Sequence, residues 1–93
     1  MGVEKNIVTD TISALFEEQP EGPKYRVLSS ALRRGIDQGR LPEGTRLPPV
    51  RDLAWRLGMT PGTVARAYTL LTDENVLTAE VGRGTFVSYK DEE

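Results

Sequence analysis

The sequence predicts a mainly α-helical domain closed by a small antiparallel β-hairpin. Apolar residues recur at three-, four- and seven-residue intervals in segments short enough to be single helices, and glycines and prolines separate those segments. After Asn75 the pattern changes to two short β-prone runs around a glycine-rich turn. A chain of 93 residues has room for one small core, which buries about 60 to 70% of the surface of the extended chain and leaves little room for a deep cleft.

The first helical segment is IVTDTISALFEE, Ile7 to Glu18, with apolar residues at Ile12, Leu15 and Phe16 and Asp10 near its start. It ends at QPEGPK, where Pro20, Gly22 and Pro23 form a hinge. Tyr25 to Gln38 is a stronger helix. Leu28, Ala31, Leu32, Gly35 and Ile36 share one face, Arg33, Arg34 and Asp37 lie largely off it, and Gly39 is placed to stop it. In LPEGTRL a turn at Pro42, Glu43 and Gly44 precedes two or three residues of strand ending at Leu47.

The next helix runs from Pro49 or Val50 to Leu57, with Val50, Leu53, Ala54 and Leu57 on its apolar face. Pro49 suits a first turn, where its missing N–H costs nothing, and Asp52 places negative charge near the helix start. Gly58 ends this helix. Thr60 then caps another with Pro61 at its first position, continuing to about Glu74. Val64, Ala67 or Tyr68, and Leu71 form its inward stripe, while Thr63 and Arg66 come together on a different face.

Val76 to Val81 and Thr85 to Ser88 read as paired strands joined through Gly82, Arg83 and Gly84, a tight tip carrying a guanidinium. Alone such a hairpin is marginal, so it must pack on the helices, and Leu77 and Phe86 are the candidates for that contact. Two short helices joined by Gly58 and Met59 form a helix-turn-helix, and with the hairpin the order is that of a winged helix-turn-helix.

Composition narrows the chemistry. The chain has no cysteine and no histidine, which excludes disulfides, thiolate or imidazole catalysis and zinc ligation by those residues within it. No catalytic role and no metal site is expected. No run approaches the roughly 18 apolar residues of a membrane helix, and the N-terminus lacks a secretory signal pattern. Net charge is −2, but Lys24 to Lys90 holds 11 basic against 6 acidic residues, while the rest holds Lys5 against 8 acidic ones. The division is therefore an acidic segment over 1–23, a basic domain over 24–89, and at 90–93 an acidic tail or the start of a linker to a further effector domain. An arginine-rich middle is suited to phosphate and base contact.

In a helix-turn-helix the amino end of the second helix enters the major groove, where bulky residues would hold the backbone away from the bases. Pro61 and Gly62 are small, Thr60 and Thr63 offer hydroxyls, and the helix start offers unpaired N–H groups to phosphate. Arg83 at the hairpin tip can reach a phosphate or the adjacent minor groove. Arg46 and Tyr25 are further candidates for phosphate contact, each with a packing role as its alternative. Trp55 lies off the apolar stripe; it is either partly buried against the N-terminal helix or part of an interface with another domain or subunit.

The segment Tyr25 to Val87, about 63 of the 93 residues, resembles the N-terminal DNA-binding domain of the GntR family of bacterial transcription regulators. The resemblance rests on the opening tyrosine and helix, on GRLPEGTRLPPVRDLAWRLGMTPGTVARAY and on GRGTFV. LPPVRDLAWRLG, TVARAY and EVGRGTFV look most like the MocR-type branch, with the YtrA-like branch as runner-up. The resemblance implies binding to operator DNA, in the bacterial cytoplasm and on the nucleoid when bound, with dimerisation in the full-length protein and the isolated domain monomeric. A MocR-type parent also implies a C-terminal domain resembling fold-type I aminotransferases that holds pyridoxal phosphate; no cofactor is implied for this chain itself. By the same resemblance Arg51 corresponds to a family DNA contact, Thr60 and Thr63 to polar residues opening the recognition helix, and Arg83 and Gly84 to the wing tip. Pro49 replaces a common serine cap, and Pro61 and Ala65 stand where many relatives have DNA-touching arginines, which leaves Arg51, Arg66 and Arg83 as the charged readers. A winged helix serving only protein contact is the alternative.

Overall fold

The computed structural model describes residues 3–18 and 21–89, with side chains of the first helix described from residue 7. Pro20 of the hinge and the tail at 90–93 lie outside the described residues. The elements are α1 (Val3–Glu18), α2 (Lys24–Asp37), α3 (Val50–Leu57), α4 (Pro61–Asp73), β1 (Leu77–Glu80) and β2 (Gly84–Val87). The fold is mainly α with a two-stranded antiparallel sheet, the winged helix-turn-helix expected from the sequence.

α1 begins before the expected Ile7 and packs on α2 and α3, with Ile12 and Leu15 fully buried in the same core as residues of α2, α3 and α4. Gly35 permits this approach. A Cβ there would come within 2.6 Å of Leu15 Cδ1 and 2.8 Å of Leu41 Cδ1, so the absent side chain is what lets α1 and the loop after α2 close on that helix. The pairing is fastened at the rim. Arg34 Nη2 donates to the Leu15 carbonyl at 2.6 Å, satisfying an acceptor in the last turn of α1, and lies 3.6 Å from Glu18.

The helix boundaries follow local chemistry. Thr60 Oγ1 accepts from the Thr63 N–H at 3.3 Å with Pro61 at the first helical position, as its sequence position predicts. α3 stops at Gly58, whose φ of 72° is left-handed and lets the Met59 N–H return to the Ala54 carbonyl at 3.0 Å. Pro49 sits one position earlier than the first-turn expectation, as the extended residue before α3, and its carbonyl accepts from Leu53. Asn75, with φ 65°, ends α4 in the way a glycine usually does.

β1 and β2 pair in the register Leu77↔Val87, Thr78↔Phe86, Ala79↔Thr85 and Glu80↔Gly84. Here one expectation is corrected. Leu77 is buried, but its core partner is Val87 and not Phe86, which is only partly buried. Alternation explains it: residues directly opposite share a face, so Val87 follows Leu77 inward and Phe86 points to the other side. The strand expected before Leu47 is reduced to one bridge, Arg46↔Phe86, flanked by hydrogen bonds from Leu47 N to Thr85 O at 2.8 Å and from Val87 N to Thr45 O at 2.9 Å. It seats the hairpin against the loop entering α3.

Candidate nucleic-acid interface

α4 is anchored on one side and open on the other. Val64, Ala67, Tyr68 and Leu71 are buried, and both of the alternatives Ala67 and Tyr68 belong to the inward stripe. The Tyr68 hydroxyl donates to the Pro48 carbonyl at 2.6 Å, which ties the middle of α4 to the loop before α3 and sets the angle between the two helices of the motif. Sequence reasoning missed this bond, because nothing local links positions 48 and 68. Burial pushes the Tyr68 phenol above its ordinary value, since ionisation there would put charge in a dry site.

The open side starts at the amino end. Thr60 and Thr63 hydroxyls lie 2.9 Å apart, and a Cβ built on Gly62 would meet nothing within 4 Å. One turn on, the Arg66 guanidinium lies over the Tyr25 ring, 4.1 Å from its centroid. Arg26 Nε in turn donates to the Tyr25 hydroxyl at 3.5 Å. That hydrogen bond chiefly lowers the Tyr25 phenol; desolvation opposes it, and the charges of Arg66 and Arg26 add to it.

At the hairpin, Arg46 lies against the backbone of Gly84, where a Cβ would sit 3.1 Å from Arg46 Nε. With φ 117°, Gly84 is doubly a glycine position. Arg83 occupies the turn, largely exposed, with Nη1 3.6 Å from Glu80 of its own hairpin. Arg51 is exposed on the first turn of α3 with no ion-pair partner among the described residues.

The nine candidate residues therefore fall into local groups: Thr60, Gly62 and Thr63 at the start of α4; Arg66 with Tyr25; Arg46 with Gly84 and its neighbour Arg83; and Arg51 alone. Four other arginines face acids. Arg33 pairs with Glu74, Arg40 lies 3.3 Å from Glu18, Arg56 2.6 Å from Asp10, and Arg34 joins Glu18 as described. Trp55 is 85% exposed, which removes partial burial against α1, one of its two alternatives: the ion pair from Arg56 to Asp10 bridges α3 to α1 while the indole is exposed. Among the described residues no group of acidic side chains could hold a metal ion, and no helix is long and apolar enough to cross a membrane.

Comparison with known proteins agrees with this architecture. Residues 24–87 match the family described as bacterial regulatory proteins, gntR family. The HTH-type transcriptional regulator Rv1152 of Mycobacterium tuberculosis is 44% identical over 69 residues, 74% of this chain and 57% of that protein. The probable rhizopine catabolism regulatory protein MocR of Rhizobium meliloti is 36% identical over 74 residues, 80% of this chain but 15% of that protein. The chain thus spans between about a seventh and somewhat over half of these relatives. Among solved structures, YtrA from Sulfolobus acidocaldarius, a GntR-family transcription factor, matches with a TM-score of 0.72 at 31% identity, covering 81% of this chain and 78% of that one. The AraR DNA-binding domain in complex with operator ORX1 matches with a TM-score of 0.68 at 26% identity, covering 73% and 82%. The chain belongs to the gntR family of bacterial regulatory proteins.

Proposed function

We propose that residues 24–89 bind double-stranded DNA sequence-specifically as the head domain of a bacterial transcription regulator, with α4 in the major groove and the β1–β2 hairpin at the adjacent minor groove. The observation that carries this reading is the amino end of α4: unobstructed at Gly62, lined by the Thr60 and Thr63 hydroxyls, and accompanied by Arg66 and Arg51, which no carboxylate among the described residues neutralises. A helix start of this kind offers N–H groups and dipole to phosphate, and exposed guanidinium edges suit guanine or phosphate oxygens. Arg46, Arg83 and Gly84 form the hairpin's contribution, and Tyr25 flanks α4. The operator complex of AraR, a protein similar in fold, supports the same use here.

The parent of this domain, in our reading, is of the MocR type, with a C-terminal aminotransferase-like domain holding pyridoxal phosphate. The similarity to MocR over only 15% of that protein supports it, while the similarity to YtrA keeps a smaller helical tail as the competing form. Pyridoxal phosphate does not fit the described residues: Lys24, the one lysine whose side chain is described, is exposed at the start of α2 and offers no buried site for a Schiff base. The full-length protein dimerises through its further domain and reads a two-fold operator in the bacterial cytoplasm, and the isolated head is monomeric. The head alone should bind its half-site more weakly than the parent binds the whole operator, because tethering supplies a high effective concentration.

Titration of the chain with a duplex selected from a randomised pool, at several salt concentrations, tests the proposal. Affinity falling linearly on log–log axes, with preference for the selected duplex over a scrambled one, is expected. Absence of binding at low salt, or binding indifferent to salt and sequence, would leave the protein-contact alternative, with Trp55 as its anchor.

A further inference from the structure

Arg66 differs from the paired arginines in how it is held. Arg33, Arg40 and Arg56 give N–H groups at the guanidinium edge to carboxylates, whereas Arg66 presents its guanidinium to the Tyr25 ring, 4.1 Å from the centroid. Tyr25 stands on the first turn of α2 and Arg66 on the exposed side of α4. Neither belongs to the hydrophobic core, so the contact is not a by-product of core packing. Arg26 holds the other end of the phenol by donating to its oxygen.

The two ways of holding an arginine have different consequences. A carboxylate occupies the planar fork of donors, the same fork that reads two acceptors on a base edge. An aromatic ring engages the face of the cation and leaves the fork open. A free arginine samples many rotamers that binding must suppress, and a ring beneath it removes part of that cost beforehand.

We propose that Tyr25 is a positioning residue for base recognition: it holds Arg66 by its face so that the N–H edge is presented to a base, guanine being the one whose O6 and N7 match the fork. The role rests on the DNA-binding reading above and deepens it. Tyr25 thereby acts through Arg66 and not through a phosphate contact of its own hydroxyl. The amino end of α2 becomes part of the reading head, and sequence specificity at one base pair depends on a residue 41 positions before the arginine that reads it.

The test uses the whole chain and a duplex selected by it from a randomised pool, together with single-base-pair variants of that duplex. Tyr25→Leu should bind about three- to tenfold more weakly, the range expected when an ordered long side chain is set free. The loss should fall on the same base pair that Arg66→Ala ceases to discriminate, and Tyr25→Leu should add nothing further in an Arg66→Ala background. Tyr25→Phe, which keeps the ring, should restore affinity and discrimination relative to Tyr25→Leu, with circular dichroism verifying that each variant is folded. Equal affinity of Tyr25→Leu and wild type overturns the proposal, as does a loss shared by Tyr25→Phe and uniform across sequences, which would make the hydroxyl a phosphate contact. A wild-type chain that selects no duplex overturns the DNA reading and this role with it; a wild type that selects one beside an unaffected Tyr25→Leu overturns this role alone.

Discussion

Arg33, Arg34, Arg40 and Arg56 each meet an acid from another part of the fold, whereas Arg46, Arg51 and Arg66 meet none among the described residues. The first set fastens helices: Arg34 and Arg56 join α1 to α2 and α3, and Arg33 joins α2 to the end of α4. The second set lies on α3, on α4 and beside the hairpin, where no acid among the described residues pairs with it. One residue type thus has two uses, and what separates them is the reach of Asp10 and Glu18 on α1 and of Glu74 at the end of α4. Among the described residues Asp10 and Glu18 pair with arginines of the first set only, so these two acids do not cancel the basic surface. Net charge alone would have hidden this.

The strongest way to break the contrast is to put an acid on the unpaired side. Gly62→Glu adds charge and bulk where a side chain meets only open space. DNA affinity should fall by about a hundredfold or more, since like charges brought together at an interface cost several kcal/mol. Stability should hold or rise slightly, because a carboxylate near a helix start is favourable and glycine is a poor helix former. Duplex titration beside thermal denaturation separates the two signs; wild-type affinity in a folded variant would remove this helix end from the interface.

Arg51→Ala should weaken binding by about ten- to a hundredfold, the range for a direct contact, and leave the melting temperature unchanged because no partner among the described residues is orphaned. Tyr68→Phe sharpens the structural side. It strands the Pro48 carbonyl and should cost about 1 to 2 kcal/mol in denaturant unfolding. It should also flatten the alkaline limb of stability. The folded phenol titrates above its unfolded value, so its contribution is complete below about pH 10 and is lost as pH rises beyond it.

Arg34→Ala should cost about 1 kcal/mol, because it leaves the Leu15 carbonyl without its side-chain donor at a part-buried site and Glu18 with Arg40 alone. Its effect on DNA affinity should be negligible. Arg33→Ala is the mildest: both partners are more than 40% exposed, so unfolding should shift by no more than about 0.5 kcal/mol. A DNA-binding loss from either variant would blur the division between the two sets.

Features set by adjacent residues were legible in the sequence. The Thr60 cap with Pro61, the stop at Gly58 and the inward stripe of α4 all follow from local spacing and backbone preference. Features joining distant segments were not. The docking of α1 depends on Gly35 leaving room for both Leu15 and Leu41, and the tie from Tyr68 to Pro48 spans 20 positions. Which face of β2 is buried turns on register, and a shift of one residue exchanges Phe86 and Val87. The candidate site was legible as a set of residue types on one helix end and one hairpin, but the seat of Arg46 on Gly84 and the stack of Arg66 on Tyr25 required the fold.

The salt dependence of duplex binding tests the division most directly. The slope of log affinity against log salt counts the phosphate charges a protein neutralises, at about 0.9 per contact. Wild type should be compared with two folded double variants, Arg46→Ala/Arg51→Ala and Arg33→Ala/Arg56→Ala, which remove equal charge from the two sets. The first should lower the magnitude of the slope by up to about two units and the second should keep the wild-type slope. Equal slopes in the two variants would contradict the assignment of unpaired arginines to DNA and paired ones to the fold.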